Sequence, residues 1–84
     1  MSNMEKFINT ILKLQAQRKR LNTMENEAKT EAIADKIYDI DDKVWEKMQS
    51  LRQNLNLETN RENRKELRKV CENMGIDYLD ILRY

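Results

Sequence analysis

Apolar side chains recur at helical spacing from the first residues of the chain. Met4, Phe7, Ile8, Ile11, Leu12 and Leu14 fall three and four positions apart and make one broad apolar face. Ahead of them, Ser2-Asn3-Met4-Glu5 has the Ser-x-x-Glu form of a capping box, in which each end satisfies a free backbone N–H of the other. The pattern predicts a first helix over about residues 3–22. Continuing the series 4, 7, 11, 14 reaches Arg18 and then Leu21, so a cation interrupts the seam one turn before Leu21.

The periodicity fades over "NTMENEAKT", residues 22–30, where no glycine or proline marks a turn. A bend or short loop is expected there, with Asn22 and Thr30 as candidate caps. The alternative is one uninterrupted helix that would need a second chain to cover its stripe. A second helix is predicted over about residues 30–55, and it carries the strongest regularity in the sequence. "DKIY" at Asp35–Tyr38 recurs seven residues later as "DKVW" at Asp42–Trp45. That period aligns Ile37, Val44 and Leu51, flanked by Ile33, Ile40, Met48 and Leu55, as a coiled-coil-like seam with a drift at Met48. Part of this seam is expected to close a homodimer.

"NLNLETNRE" ends the second helix, and Thr59-Asn60-Arg61-Glu62 reads as another capping box. A third helix over about 60–74 carries Leu67, Val70, Cys71 and Met74. Gly75 then supplies the left-handed position that ends many helices, with Ile76 folding back on the preceding turn. Asp77 caps a last short helix at about 78–83.

Val70, Cys71, Met74, Gly75, Ile76, Ile81 and Tyr84 resemble the buried positions and turn glycine of a DNA-binding helix-turn-helix unit. The resemblance implies base reading by the second helix. That helix departs from the pattern, because it offers Asp77 and Asp80 and a single cation, Arg83.

Proline is absent and glycine occurs once among 84 residues, which removes the turn chemistry a strand-rich fold needs. The expected class is therefore all-α: a helical hairpin of two long helices plus a shorter C-terminal helix pair, in one domain. An antiparallel three- or four-helix monomer is the other architecture the pattern allows. A core this small is marginal, and Cys71 is the only cysteine, so no disulfide supports it. A lone thiol suits a reducing compartment, and no apolar run approaches the roughly 20 residues of a membrane span. With no hydrophobic leader in "MSNMEKFINT", a cytoplasmic location is expected.

Sixteen basic residues stand against fifteen acidic ones, without the bulk excess of a dedicated nucleic-acid binder. Locally the balance differs. Residues 1–24 hold five cations, Lys6, Lys13, Arg18, Lys19 and Arg20, and one anion. Arg18, Lys19 and Arg20 fan over roughly 200° of a helix, whereas Lys6, Lys13 and Arg20 share one flank at intervals of about 10 Å. That flank is a candidate phosphate contact. It also has a plain structural reading, since Glu31, Asp35, Asp39, Asp42 and Glu46 form an acidic line on the second helix. In an antiparallel hairpin the two lines are expected to face each other.

Catalytic and cofactor chemistry finds little support. There is no histidine, hence no usual general base or zinc ligand. The acidic line has no glycine for a calcium loop and no Glu-x-x-His pair for a carboxylate-bridged metal site. No catalytic, metal or cofactor residue is assigned. Cys71 lies among apolar neighbours and reads as a small buried hydrophobe. Tyr38 and Trp45, one heptad apart beside the seam, either complete the core or anchor a partner, with core the leading role. Tyr78 and Tyr84 raise the same choice.

The Lys-, Asn-, Met- and Glu-rich helical chain resembles the small accessory proteins of large lytic tailed phages. That resemblance implies an inhibitor or regulator of one host enzyme or defence system. The expected function is therefore non-enzymatic binding and regulation of another protein through a helical face, with Tyr38, Trp45, Asp35, Asp39, Asp42 and Glu46 as candidate contacts. The alternative is a small RNA- or DNA-binding module that uses the basic flank of the first helix.

Overall fold

A computed structural model describes residues 2–83. Four helices follow in order: α1 (Asn3–Asn26), α2 (Glu31–Asn54), α3 (Arg61–Met74) and α4 (Tyr78–Arg83), with no strand among the described residues. α1 and α2 form an antiparallel hairpin, and the shorter pair folds against it. The body measures 47 × 24 × 20 Å, a rod little longer than the hairpin itself.

Helix ends follow from side-chain chemistry. Both halves of the Ser2–Glu5 capping box form, with Ser2 Oγ accepting from Glu5 N–H at 3.1 Å. Thr30 caps α2 by accepting from Ile33 N–H at 3.3 Å. α1 runs on to Asn26, past the expected end near 22, because nothing between Asn22 and Asn26 breaks a helix. The turn is confined to residues 27–30, so the hairpin replaces the single continuous helix.

The N-cap of α3 is Asn60, whose carboxamide accepts from Asn63 N–H at 3.1 Å, and not Thr59. Thr59 belongs to the turn before it, where its N–H and hydroxyl both donate to the Asn56 carbonyl. Asn56 itself takes φ 50°, a left-handed conformation that asparagine tolerates better than most residues. Gly75 ends α3 at φ 71°, with Ile76 N–H returning to the Cys71 carbonyl at 2.8 Å. This is the six-to-one bond of a Schellman motif.

The core runs the length of α1 through Met4, Phe7, Ile8, Ile11, Leu14 and Leu21. It meets Ile37, Val44 and Met48 from α2, Leu67 and Cys71 from α3, and Ile81 from α4. Leu51 and Leu55 are half-buried against the same core. Leu57, in the polar turn after α2, is buried as well, although an isolated apolar residue there carries no periodic signal.

The α2 seam is corrected at two positions. Ile33 and Ile40 are 48% and 47% exposed. α1 faces the line Ile37–Val44–Met48; Ile33 and Ile40 lie about 40–60° to one side of Ile37, on the rim of that contact, at the end of the hairpin that no third helix covers.

Candidate functional site

Two hydrogen bonds fix which side of the hairpin carries α4. Gln15 Nε2 donates to the Asp80 carbonyl at 2.6 Å, and Arg52 Nε donates to the Ile81 carbonyl at 2.9 Å. Gln15 on α1 and Arg52 on α2 therefore mark the side covered by the C-terminal pair. Every other helical residue can be placed by its rotation from these two.

The five sequence-predicted cations do not form one site. Lys6, Lys13 and Arg20 are exposed and lie between about 140° and 180° round α1 from Gln15, on the uncovered side. Lys19 is exposed about 40° round α1 from Gln15, towards the α4 side. Arg18 is engaged: its Nε and Nη2 donate to Asp41 Oδ1 and Oδ2 at 3.0 and 3.3 Å. This fork-to-fork pair is the one ion pair among the described residues.

The expected pairing of basic and acidic lines does not occur. Glu31, Asp35, Asp39, Asp42 and Glu46 are all exposed. Their line is centred about 160° round α2 from the buried line Ile37–Val44–Met48, so it points away from α1. Asp41, which the acidic line omits, is the residue that faces Arg18. No group of three or more His, Cys, Asp or Glu among the described residues is arranged to hold a metal ion.

Tyr38 and Trp45 are also corrected. They are 57% and 41% exposed, on the α4 side of α2 but beyond the reach of α4 itself. The short C-terminal pair covers only the part of the hairpin built from the start of α1 and the end of α2. Past that point the hairpin has two helices and no third, so Met24 (52% exposed), Ile33 and Ile40 stay open on one side and Tyr38 and Trp45 on the other.

The C-terminal corner is not presented as a DNA reader. Gln15 and Arg52 bond its α4 carbonyls, Ile81 is fully buried, and α4 has only six residues. Arg68 lies 4.5 Å from the Tyr78 ring centre and donates to its hydroxyl at 2.7 Å, which ties α3 to α4. Tyr84 lies outside the described residues. Cys71 is 1% exposed; burial first, and then the negative charge of Asp77, push its thiol above the ordinary range.

A cleft of about 610 Å³ opens where α2 ends, lined by Arg52, Arg64, Gln49, Gln53, Asn56, Glu58 and neighbours. Arg52 spans its base, with Nη1 donating to Gln49 Oε1 at 2.8 Å. Burial, with repulsion from Arg18 second, holds this guanidinium below its usual pKa. Its carbonyl contact to α4 gives it a structural task.

No family model, curated protein or solved structure matches the chain, so its own geometry carries the functional reading. Among the described residues, no helix is long and apolar enough to cross a membrane.

Proposed function

We propose that the protein is a non-enzymatic regulator that binds another protein through the two-helix end of its hairpin. The observation that carries this reading is the set Met24, Ile33, Tyr38, Ile40 and Trp45, each between 41% and 57% exposed. Single exposed apolar residues are ordinary on any surface. Five large ones at one end of the hairpin, Met24, Ile33 and Ile40 on one side and Tyr38 and Trp45 on the other, where a third helix is missing, are a different matter, and Trp and Tyr are the side chains most enriched in binding hot spots.

Magnitudes limit what these residues do alone. Covering the exposed half of each contributes on the order of 1 kcal/mol, so about 5 kcal/mol together. Association costs roughly 4–15 kcal/mol in lost freedom. Apolar burial therefore does not suffice, and the charged lines flanking it must supply orientation and further contacts. The composition resembling phage accessory proteins is in keeping with a regulator or inhibitor.

The test is capture by the full-length tagged protein from extract of the cells that express it, with and without nuclease. It is run beside a variant with Ile33, Tyr38, Ile40 and Trp45 all changed to Ala. A protein held by the parent and lost from the variant, then shown to bind directly once purified, supports the reading. Recovery of nothing but nuclease-sensitive material would overturn it.

A further inference from the structure

We propose that α3, with Tyr78 of α4, forms a binding site for single-stranded nucleic acid, separate from the apolar two-helix end. An open recess of about 270 Å³ lies beside α3, lined by Arg61, Arg64, Lys65, Arg68 and Tyr78, with no carboxylate in its lining. All four cations are exposed, and none is ion-paired among the described residues. They lie about 60–160° round α3 from the buried Leu67, whereas Glu62 and Glu66 lie about 100–140° in the opposite sense. Glu72 shares the cationic flank one turn past Arg68.

This arrangement works against the helix itself. Arg61–Lys65 and Arg64–Arg68 are like-charged pairs four residues apart, which destabilise where opposite charges would stabilise. Arg61, Arg64 and Lys65 also crowd the positive end of the macrodipole, while the last turn of α3 holds no cation. Folding alone does not favour such a pattern, and an anion bound along this flank relieves both penalties.

Arg64 also lines the cleft of about 610 Å³ at the end of α2, so the two recesses adjoin. There the carboxamides of Gln53 and Asn56 and the hydroxyl of Thr59 offer donors and acceptors, and Glu58 is the one carboxylate of the lining. Arg52 Nη2 is buried with no partner among the described residues, so part of its charge is unanswered. Cations for phosphates and amides for base edges are what a run of unpaired nucleotides uses. Arg68 adds a planar group on which a base stacks, held 4.5 Å from the Tyr78 ring centre and bonded to its hydroxyl at 2.7 Å. Arg61 to Arg68 rises about 10 Å, the length of about three stacked nucleotides.

Two other occupants fit less well. A duplex is entered through its grooves by a projecting helix or ribbon, whereas both sites are recessed. A phosphorylated peptide would engage the arginines with one group and leave the amide-lined cleft unused.

The test follows a fluorescent oligouridylate of about 10 nucleotides by anisotropy with the full-length protein. Oligothymidylate, duplex RNA and a phosphoserine peptide are run beside it. The single strands are expected to bind. Four phosphate contacts, at a slope of about −0.7 each, predict roughly fiftyfold weaker binding at about 200 than at about 50 mM salt. Binding of either sugar supports the proposal, and a preference for RNA adds the 2′-hydroxyl to the contacts. R61A/K65A should lower affinity about tenfold or more and reduce the salt slope by about 1.4. The same variant should unfold at an equal or higher urea midpoint, because it relieves like-charge repulsion. Gln53→Glu sets a carboxylate in the path of the strand and should weaken binding severalfold. K6A/K13A/R20A, on the uncovered side of α1, should leave binding unchanged.

Absence of single-strand binding would overturn the proposal, as would tighter binding of the duplex or the phosphopeptide. So would a loss that follows the α1 variant instead of R61A/K65A, or indifference to Gln53→Glu. The variant with Ile33, Tyr38, Ile40 and Trp45 changed to Ala should bind the oligonucleotide as the parent does. Loss of binding there would put the site at the other end of the hairpin and overturn the proposal as well.

Discussion

Three isoleucines of α2 form a natural experiment on the register of the hairpin. Ile37 is 8% exposed, whereas Ile33 and Ile40, one turn to either side, are 48% and 47% exposed. Each change to Ala removes three carbon groups. At roughly 0.8 kcal/mol for each buried group, Ile37→Ala forfeits about 2.4 kcal/mol of transfer energy, with a cavity term added. Alanine returns about 0.4 kcal/mol through its better helix propensity. The net expectation is a loss of about 2–3 kcal/mol, a large share of the roughly 5–10 kcal/mol available to a domain this small. For Ile33→Ala and Ile40→Ala, half of the transfer term is already absent. The same arithmetic leaves under about 1 kcal/mol each. Urea unfolding followed by far-UV circular dichroism gives all three values, provided the slopes agree. A loss at Ile33 as large as that at Ile37 would refute the reasoning. It would mean that α2 is rotated, or that a second chain covers this face in solution. Repeating the titration at two protein concentrations distinguishes those causes.

Other expectations follow from single contacts. Gly75→Ala should cost about 1–2 kcal/mol in urea unfolding, because φ 71° strains any L side chain although nothing lies within 4 Å of the added carbon. Gly75→Asn should recover part of that loss. A double-mutant cycle on Arg18 and Asp41, whose side chains are 31% and 20% exposed, should give a coupling of about 0.5–1 kcal/mol that shrinks as salt rises. Cys71 should react with a thiol reagent only after denaturant opens the core. Its folded pKa is raised, so above the ordinary thiol range the unfolded chain holds fewer protons and stability falls with rising pH. Below that range the contribution is fully present. The fall should be smaller in Cys71→Ala, measured by urea midpoints at neutral and alkaline pH.

Local rules carried the architecture well. The Ser2–Glu5 box, the Thr30 cap and the Gly75 terminus are short-range devices, and each is formed as its residues dictate. The all-α hairpin with a shorter C-terminal pair was legible because apolar spacing and the absence of turn residues agree. What stayed hidden depends on rotation between helices. A heptad reading treats Ile33, Ile37 and Ile40 alike, and only the position of α1 against α2 separates them.

The same limit applies to charge. Two complementary lines suggest a pairing, yet the acidic one faces away from α1, and Asp41 meets Arg18 instead. Tyr38 and Trp45 looked like core because aromatic residues beside a seam usually are. Their exposure follows from where α3 and α4 stop, which no local pattern encodes. Asn60 took the cap from Thr59 because Asn56 turns the chain left-handed before α3 begins.

Trp45, the single tryptophan of the chain, is the most direct probe of a hairpin whose far end has no third helix. Its fluorescence should be that of a partly hydrated indole, open to acrylamide and unchanged on dilution of the pure protein. An indole that is shielded from quencher, in the dilute protein alone, would show that something already covers this end and would contradict the account.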